Sequence, residues 1–216
     1  MLRIFLSWFV KITGYIPQKL FFRTKVYYQD KLAQSRHISG RAIVISNHRS
    51  VWDFAMMMFL FPTRNMRCLV AEIMFQKNAL FSFFLKAMGS IRVDRGSHDF
   101  SFIEKAVRVL DKNQVIEIYP EARIPENDEK TPLPFTPSTV YIALESGAPI
   151  IPIFTQGNYF NKPRNHVIIG KPIYARDLYN DTLSERENIE IINNILRNEI
   201  IELENELNKK IKQPKS

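Results

Sequence analysis

Ala42-Ile43-Val44-Ile45-Ser46-Asn47-His48-Arg49-Ser50-Val51-Trp52-Asp53-Phe54 is the stretch on which the fold turns. Its apolar opening, Ala42 to Ile45, is a short β-rich run of the kind that is buried on both faces of a parallel sheet. The polar residues that follow make a turn, and Ser50 is a good N-cap for a helix running through Phe54, Ala55 and Met58. A strand, a tight turn and a helix in that order form half of a βαβ unit.

The alternation continues outward from this unit. Candidate strands are 67–71, 90–93, 114–119, 150–155 and 166–170. Between them Ile103, Ala106, Val107 and Leu110 recur at helical spacing, as do Val140, Ala143 and Leu144 ahead of Gly147. The C-terminal stretch opens with a Ser184-x-x-Glu187 capping box and carries Ile189, Ile192, Leu196, Leu203 and Leu207 on one stripe, a long surface helix. The predicted class is α/β: a largely parallel central sheet flanked by helices, preceded by an interfacial helical segment. No internal repeat or linker interrupts it, and Glu126 to Lys130 is the loop whose composition suggests mobility.

Composition fits this class. With 216 residues, 45% hydrophobic and 24% charged, the chain can bury a sizeable core, and 16 Phe with 8 Tyr exclude disorder. A single cysteine, Cys68, excludes an internal disulfide and a thiolate metal site, which fits a reducing compartment. Cys68 lies in an apolar run and reads as a small buried residue rather than a nucleophile. The net charge of +8 suggests a polyanionic partner.

That charge is local. Residues 1–28 contain Arg3, Lys11, Lys19, Arg23 and Lys25 and no acid, interleaved with aromatic and aliphatic side chains. The cations and Pro17 interrupt every window long enough to span a bilayer, and no small-residue cleavage site follows, so neither a span nor an export signal is expected. Residues 1–28 are expected to lie in the membrane interface as a helical anchor of one or two short helices, Trp8, Phe9, Tyr15 and Phe22 in the acyl boundary and the cations at anionic headgroups, with 29–216 as the α/β domain. Packing of this segment on the protein's own core is the alternative.

The chemistry is narrowed by elimination. G-x-G-x-x-G, Walker A, G-x-S-x-G and H-E-x-x-H are all absent, and the histidines (His37, His48, His98, His166) are too dispersed for a local metal site. His48 falls on the turn at the carboxyl end of a strand, where open α/β sheets place ligands. Asp53 is near enough along the chain for the turn to fold the two within hydrogen-bond reach, leaving the second ring nitrogen as a general base. Taken alone, His48 can equally be a surface histidine, and Ser50-x-x-Asp53 a capping pair.

Four ordered blocks give these residues a context. Asn47-His48-Arg49-Ser50-Val51-Trp52-Asp53 resembles the N-H-x-x-x-x-D block of the glycerolipid acyltransferases, the 1-acylglycerol-3-phosphate acyltransferase family. Gly89-Ser90-Ile91-Arg92-Val93-Asp94-Arg95 resembles its G-x-I-x-x-D-R block, Tyr119-Pro120-Glu121-Ala122-Arg123-Ile124 its F-P-E-G-T-R or F-P-E-G-R-I block, and Ile151-Pro152-Ile153 its V-P-V block. The resemblance implies acyl transfer from an acyl-carrier protein or coenzyme A thioester to the free hydroxyl of lysophosphatidic acid, giving phosphatidic acid, with His48 as general base and Asp53 orienting it. It implies that Asn47, Arg95, Glu121 and Arg123 contact substrate, that no cofactor or metal is needed, and that the enzyme is peripheral or monotopic on the cytoplasmic face of the membrane. Arg92 is a weaker phosphate contact than Arg95 or Arg123. Ala122 departs from the family's Gly, and its Cβ is costly if the turn needs positive φ. Another acceptor, glycerol-3-phosphate or a different lysophospholipid, and a non-catalytic membrane-binding homologue remain alternatives. Nucleic acid is not an expected partner, because the basic cluster is interleaved with membrane-type aromatics and carries no recognisable binding motif.

Overall fold

A computed structural model describes residues 2–94, 96, 100–160 and 163–212. The run that opens the fold is β2 (Ala42–Ser46), every residue of it buried. It pairs in parallel with β5 (Val115–Ile118) on one side and β6 (Ile150–Thr155) on the other. β3 (Met66–Ala71) and β4 (Ile91–Val93) extend the sheet beyond β5, and β7 (His166–Ile169) and β1 (Lys25–Tyr28) beyond β6. The seven-stranded order is β1-β7-β6-β2-β5-β3-β4, parallel except for the β6–β7 pair. This is the expected largely parallel sheet flanked by helices.

Side-chain alternation along the strands splits the core in two. Ile43, Ile45, Ile116 and Ile118 face α5 (Ser101–Leu110), α6 (Ser138–Ser146) and α7 (Glu185–Lys212). Ala42, Val44, Val115 and Ile151 face the opposite layer, which includes Met56, Met57 and Leu60 of α2 (Asp53–Leu60). The stripe on α7 is buried from Ile189 to Leu207 and includes Ile200, which the sequence reading passed over. At roughly 1.5–3 kcal/mol for each fully buried aliphatic side chain, such a stripe fixes the helix on the sheet. The capping box forms as expected: Glu187 N–H donates to Ser184 Oγ at 3.3 Å, and Ser184 N–H to Glu187 at 2.9 Å.

The N-terminal segment differs from its expected form in three respects. It is one helix, α1 (Leu2–Phe21), and it ends seven residues before the expected limit at 28. Val26, Tyr27 and Tyr28 are good strand formers and join the sheet in β1 beside β7. Phe22, expected in lipid, is buried against Tyr159, and Lys11, expected at headgroups, is also buried. The Lys11 ammonium caps the carbonyls of Phe61 (2.8 Å) and Arg64 at the end of α2, and burial lowers its pKa to about 8.

α1 packs on α2 and on α4 (Ala79–Met88) with its polar and small residues inward. Ser7 and Lys11 are buried, and a Cβ at Gly14 would come within 2.6 Å of the Phe59 ring. Phe5, Phe9, Ile12, Ile16 and Leu20 face outward, all more than half exposed. Leu80 and Phe83 of α4 and Ile73 of the short α3 (Glu72–Gln76) are other exposed apolar side chains of this layer. Among the described residues no helix is long and apolar enough to cross a membrane.

Candidate active site

Because β2, β5 and β6 run parallel, the segments leaving their carboxyl ends emerge on one edge of the sheet. That edge collects His48 after β2, Tyr119 and Glu121 after β5, and Tyr159 after β6. The crossing from β5 to β6 on either side of β2 makes this a topological switch point, where α/β sheets open a crevice for ligands.

Asp53 is the first residue of α2 and has no exposed surface. Its Oδ2 accepts the backbone N–H groups of Arg49 (2.7 Å) and Ser50 (2.8 Å) and lies 3.0 Å from His48 Nδ1. The turn is therefore wound around the carboxylate. Ser50, expected as the N-cap, instead accepts the Trp52 N–H through its hydroxyl at 3.2 Å, and Trp52 occupies the cap position. With Nδ1 bound to Asp53, the tautomer that satisfies this network leaves His48 Nε2 as the free acceptor, on a side chain 20% exposed.

Tyr119 and Glu121 hold this turn from the β5 side. The Tyr119 ring stacks on the imidazole with centroids 4.3 Å apart. Glu121 accepts the His48 N–H at 2.8 Å and the Leu133 N–H at 2.7 Å, so it ties the histidine turn to the 133 segment. Burial raises the Glu121 pKa against the pull of those two donors. Behind Tyr119, its hydroxyl meets Glu117 at 2.5 Å; the buried Glu117 carboxyl is raised to about 8 by desolvation and is protonated at neutral pH. Cys68, beside Glu117 in the sheet, is buried with its pKa pushed up, an inert thiol in accord with its sequence reading.

The expected substrate contacts are dispersed. Asn47 is a bracket between strands, its amide donating to Thr155 O and accepting Thr155 N–H, both at 2.9 Å. It is buried behind the turn. Arg123 is exposed and forks onto Glu129, which also accepts the Glu126 N–H at 2.7 Å in the loop whose composition suggests mobility. Arg92 is exposed on edge strand β4, with β5 and β3 between it and β2, roughly 14 Å away at the usual strand spacing. Arg95 lies outside the described residues. Ala122 has φ +62°, the left-handed conformation that its sequence context warned of.

Tyr119 has a second neighbour. Its other surroundings are a largely apolar cavity of about 850 Å³, lined among others by Leu69, Val93, Phe102, Ile103, Ile118 and Tyr141, with Ala122 in the wall. Sequence reasoning missed both Tyr119 as a stacking partner and Tyr159, whose hydroxyl donates to Asp53 Oδ1 at 2.6 Å. Tyr119 opens the third block and was within reach; Tyr159 follows a strand more than a hundred residues from Asp53 and carries no local signal.

Comparison with known proteins adds a family profile described as acyltransferase, which matches residues 23–156. The 1-acyl-sn-glycerol-3-phosphate acyltransferase of Limnanthes douglasii is 30% identical over 132 residues, 60% of this chain and 46% of that one. The enzyme of the same name from Bacillus subtilis (strain 168) is 28% identical over 136 residues, 61% of this chain and 65% of that one. The chain thus aligns with about half to two-thirds of the length of these curated relatives. The crystal structure of the 1-acyl-sn-glycerophosphate (LPA) acyltransferase PlsC from Thermotoga maritima superposes with a TM-score of 0.65 over 94% of this chain and 81% of that one, at 15% identity, a likeness of fold.

Proposed function

This chain belongs to the acyltransferase family, and from that premise we propose that it transfers an acyl group from an acyl thioester to the free hydroxyl of lysophosphatidic acid, giving phosphatidic acid. One observation carries the reading: Tyr119, whose ring stacks on His48, also lines the apolar cavity. The general base and a space suited to an acyl chain therefore share a wall.

In the reaction, His48 Nε2 takes the proton of the acceptor hydroxyl as its oxygen forms a bond to the thioester carbonyl carbon. The C–S bond then breaks, and the departing thiolate recovers that proton from the imidazolium, leaving ester and thiol. Asp53 holds Nδ1–H and offsets the charge that appears on the ring. Glu121 serves by fixing the His48 backbone. Arg123 would meet the acceptor's phosphate by exchanging the Glu129 carboxylate for it, since both present two oxygens to the guanidinium fork. Arg95 is a further candidate for that phosphate. No cofactor enters; acyl-carrier protein or coenzyme A brings the thioester.

The outward apolar face of α1 supports a peripheral or monotopic position on a membrane surface, and the cytoplasmic face is the side proposed for it. Within residues 1–28, α1 would act as the anchor, whereas β1 is a strand of the central sheet and goes with 29–216 as the catalytic domain. The test is to supply purified protein with vesicles, an acyl thioester and competing acceptors. Preferential formation of phosphatidic acid supports the reading; acylation of glycerol-3-phosphate or another lysophospholipid in preference transfers the chemistry to that acceptor, and absence of thioester consumption refutes it.

A further inference from the structure

Asp53 has two carboxylate oxygens, and the turn uses only one of them. Oδ2 takes the backbone donors and His48, whereas Oδ1 accepts the Tyr159 hydroxyl from the loop after β6. That loop approaches the catalytic turn closely: Gly157 has φ +72°, and a Cβ there would lie 2.6 Å from Arg49 Cβ. The next residue after Tyr159 is also held. Phe160 has φ +66°, and its N–H donates at 2.9 Å to the carbonyl of Phe21, the last residue of α1. Its ring meets Phe21, Phe22 and Trp52 with centroids 4.9–5.7 Å apart, and Phe22 stands edge-on to Tyr159 itself at 5.1 Å. The phenol is thus fixed on one side by the dyad and on the other by the end of α1.

We propose that Tyr159 is a positioning residue of the His48–Asp53 dyad, holding Asp53 Oδ1 so that Oδ2 faces the imidazole, and that the aromatic packing at the end of α1 keeps it in place. This rests on the reading of His48 as general base. The hydroxyl acts in two ways. It fixes the rotation of the carboxylate about its own bond, and it draws charge toward Oδ1 and away from the oxygen that faces His48. Without it, Oδ2 becomes more negative, and the protonated ring is stabilised. The other groups facing the dyad lie elsewhere: Tyr119 and Glu117 on the β5 side, Glu121 on the His48 N–H, and Arg49 paired with Glu204 of α7. A change at Tyr159 leaves them in place.

The experiment measures acyl transfer against pH for wild type, His48→Ala, Tyr159→Phe and protein with 3,5-difluorotyrosine at 159, with the His48 titration followed by NMR. For Tyr159→Phe, kcat falls about tenfold, KM for both substrates stays within about twofold, and the His48 titration and acid limb move to higher pH. The fluorinated phenol is a stronger donor that keeps the ring, so it moves both to lower pH. Opposite displacements are the signature, because a merely structural contact would lower the melting temperature without moving the titration. Unmoved titrations in both variants, with wild type active and His48→Ala inactive, overturn the role of Tyr159 alone. A fully active His48→Ala overturns it together with the mechanism on which it rests.

Discussion

Ala122 sits in the left-handed region at φ +62°. Glycine there would remove about 1–2 kcal/mol of backbone strain and add about 0.5–1 kcal/mol of unfolded-state entropy. Ala122→Gly should therefore raise stability by about 0.5 kcal/mol, roughly 1–2 °C in the melting temperature of a chain this size; a lower melting temperature would contradict the assignment. Glu117 gives a second prediction. Its carboxyl titrates at about 8 in the folded protein against 4.5 unfolded, so its contribution to stability is complete below about 4.5 and is lost as pH rises through 8. Glu117→Gln should be more stable than wild type at pH 8, with the difference shrinking toward pH 5 in chemical denaturation; a difference constant across that range would refute a protonated Glu117. At this scale His48 and Asp53 were legible, because one turn holds both. Tyr119, Tyr159 and the inward turn of Asn47 depend on strands that pair only in the folded sheet, and no spacing along the chain encodes them.

Helix α1 shows what a pattern does and does not convey. The mixture of cations and aromatics announced an amphipathic helix, but the sequence left open which face turns inward. The fold answers with Ser7, Lys11 and Gly14 inside and Phe9, Ile12 and Ile16 outside, the reverse of a helix packed by its apolar stripe. Lys11 can be buried because two carbonyls at the end of α2 receive it. The outward face predicts that Ile12→Ser and Ile16→Ser each weaken binding to anionic vesicles roughly tenfold. Both positions are about 70% exposed, so the melting temperature should stay the same. Unchanged sedimentation with vesicles would exclude this face as the lipid contact. The neighbouring strand β1 was missed because its Lys25-Val26-Tyr27-Tyr28 run continues the same cation and aromatic alternation, and only its pairing with β7 distinguishes it.

At the scale of the whole molecule, strand order brings the first and third sequence blocks, and the loop that follows the fourth, together at one site. β2, β5 and β6 are neighbours in the sheet and far apart in the chain, and their shared carboxyl edge sets His48 and Tyr159 on Asp53 and Glu121 on the His48 backbone. The alternation of β-rich and helical runs made the parallel sheet readable, whereas the antiparallel β6–β7 pair and the cavity beside Tyr119 belong to the assembled layers. In the proposed reaction His48 is the base that activates the acceptor hydroxyl. Its most direct test is the rate of acyl transfer from thioester to lysophosphatidic acid by folded His48→Ala beside wild type. A base at this position requires a loss of at least about a hundredfold in kcat; transfer at the wild-type rate would rule it out.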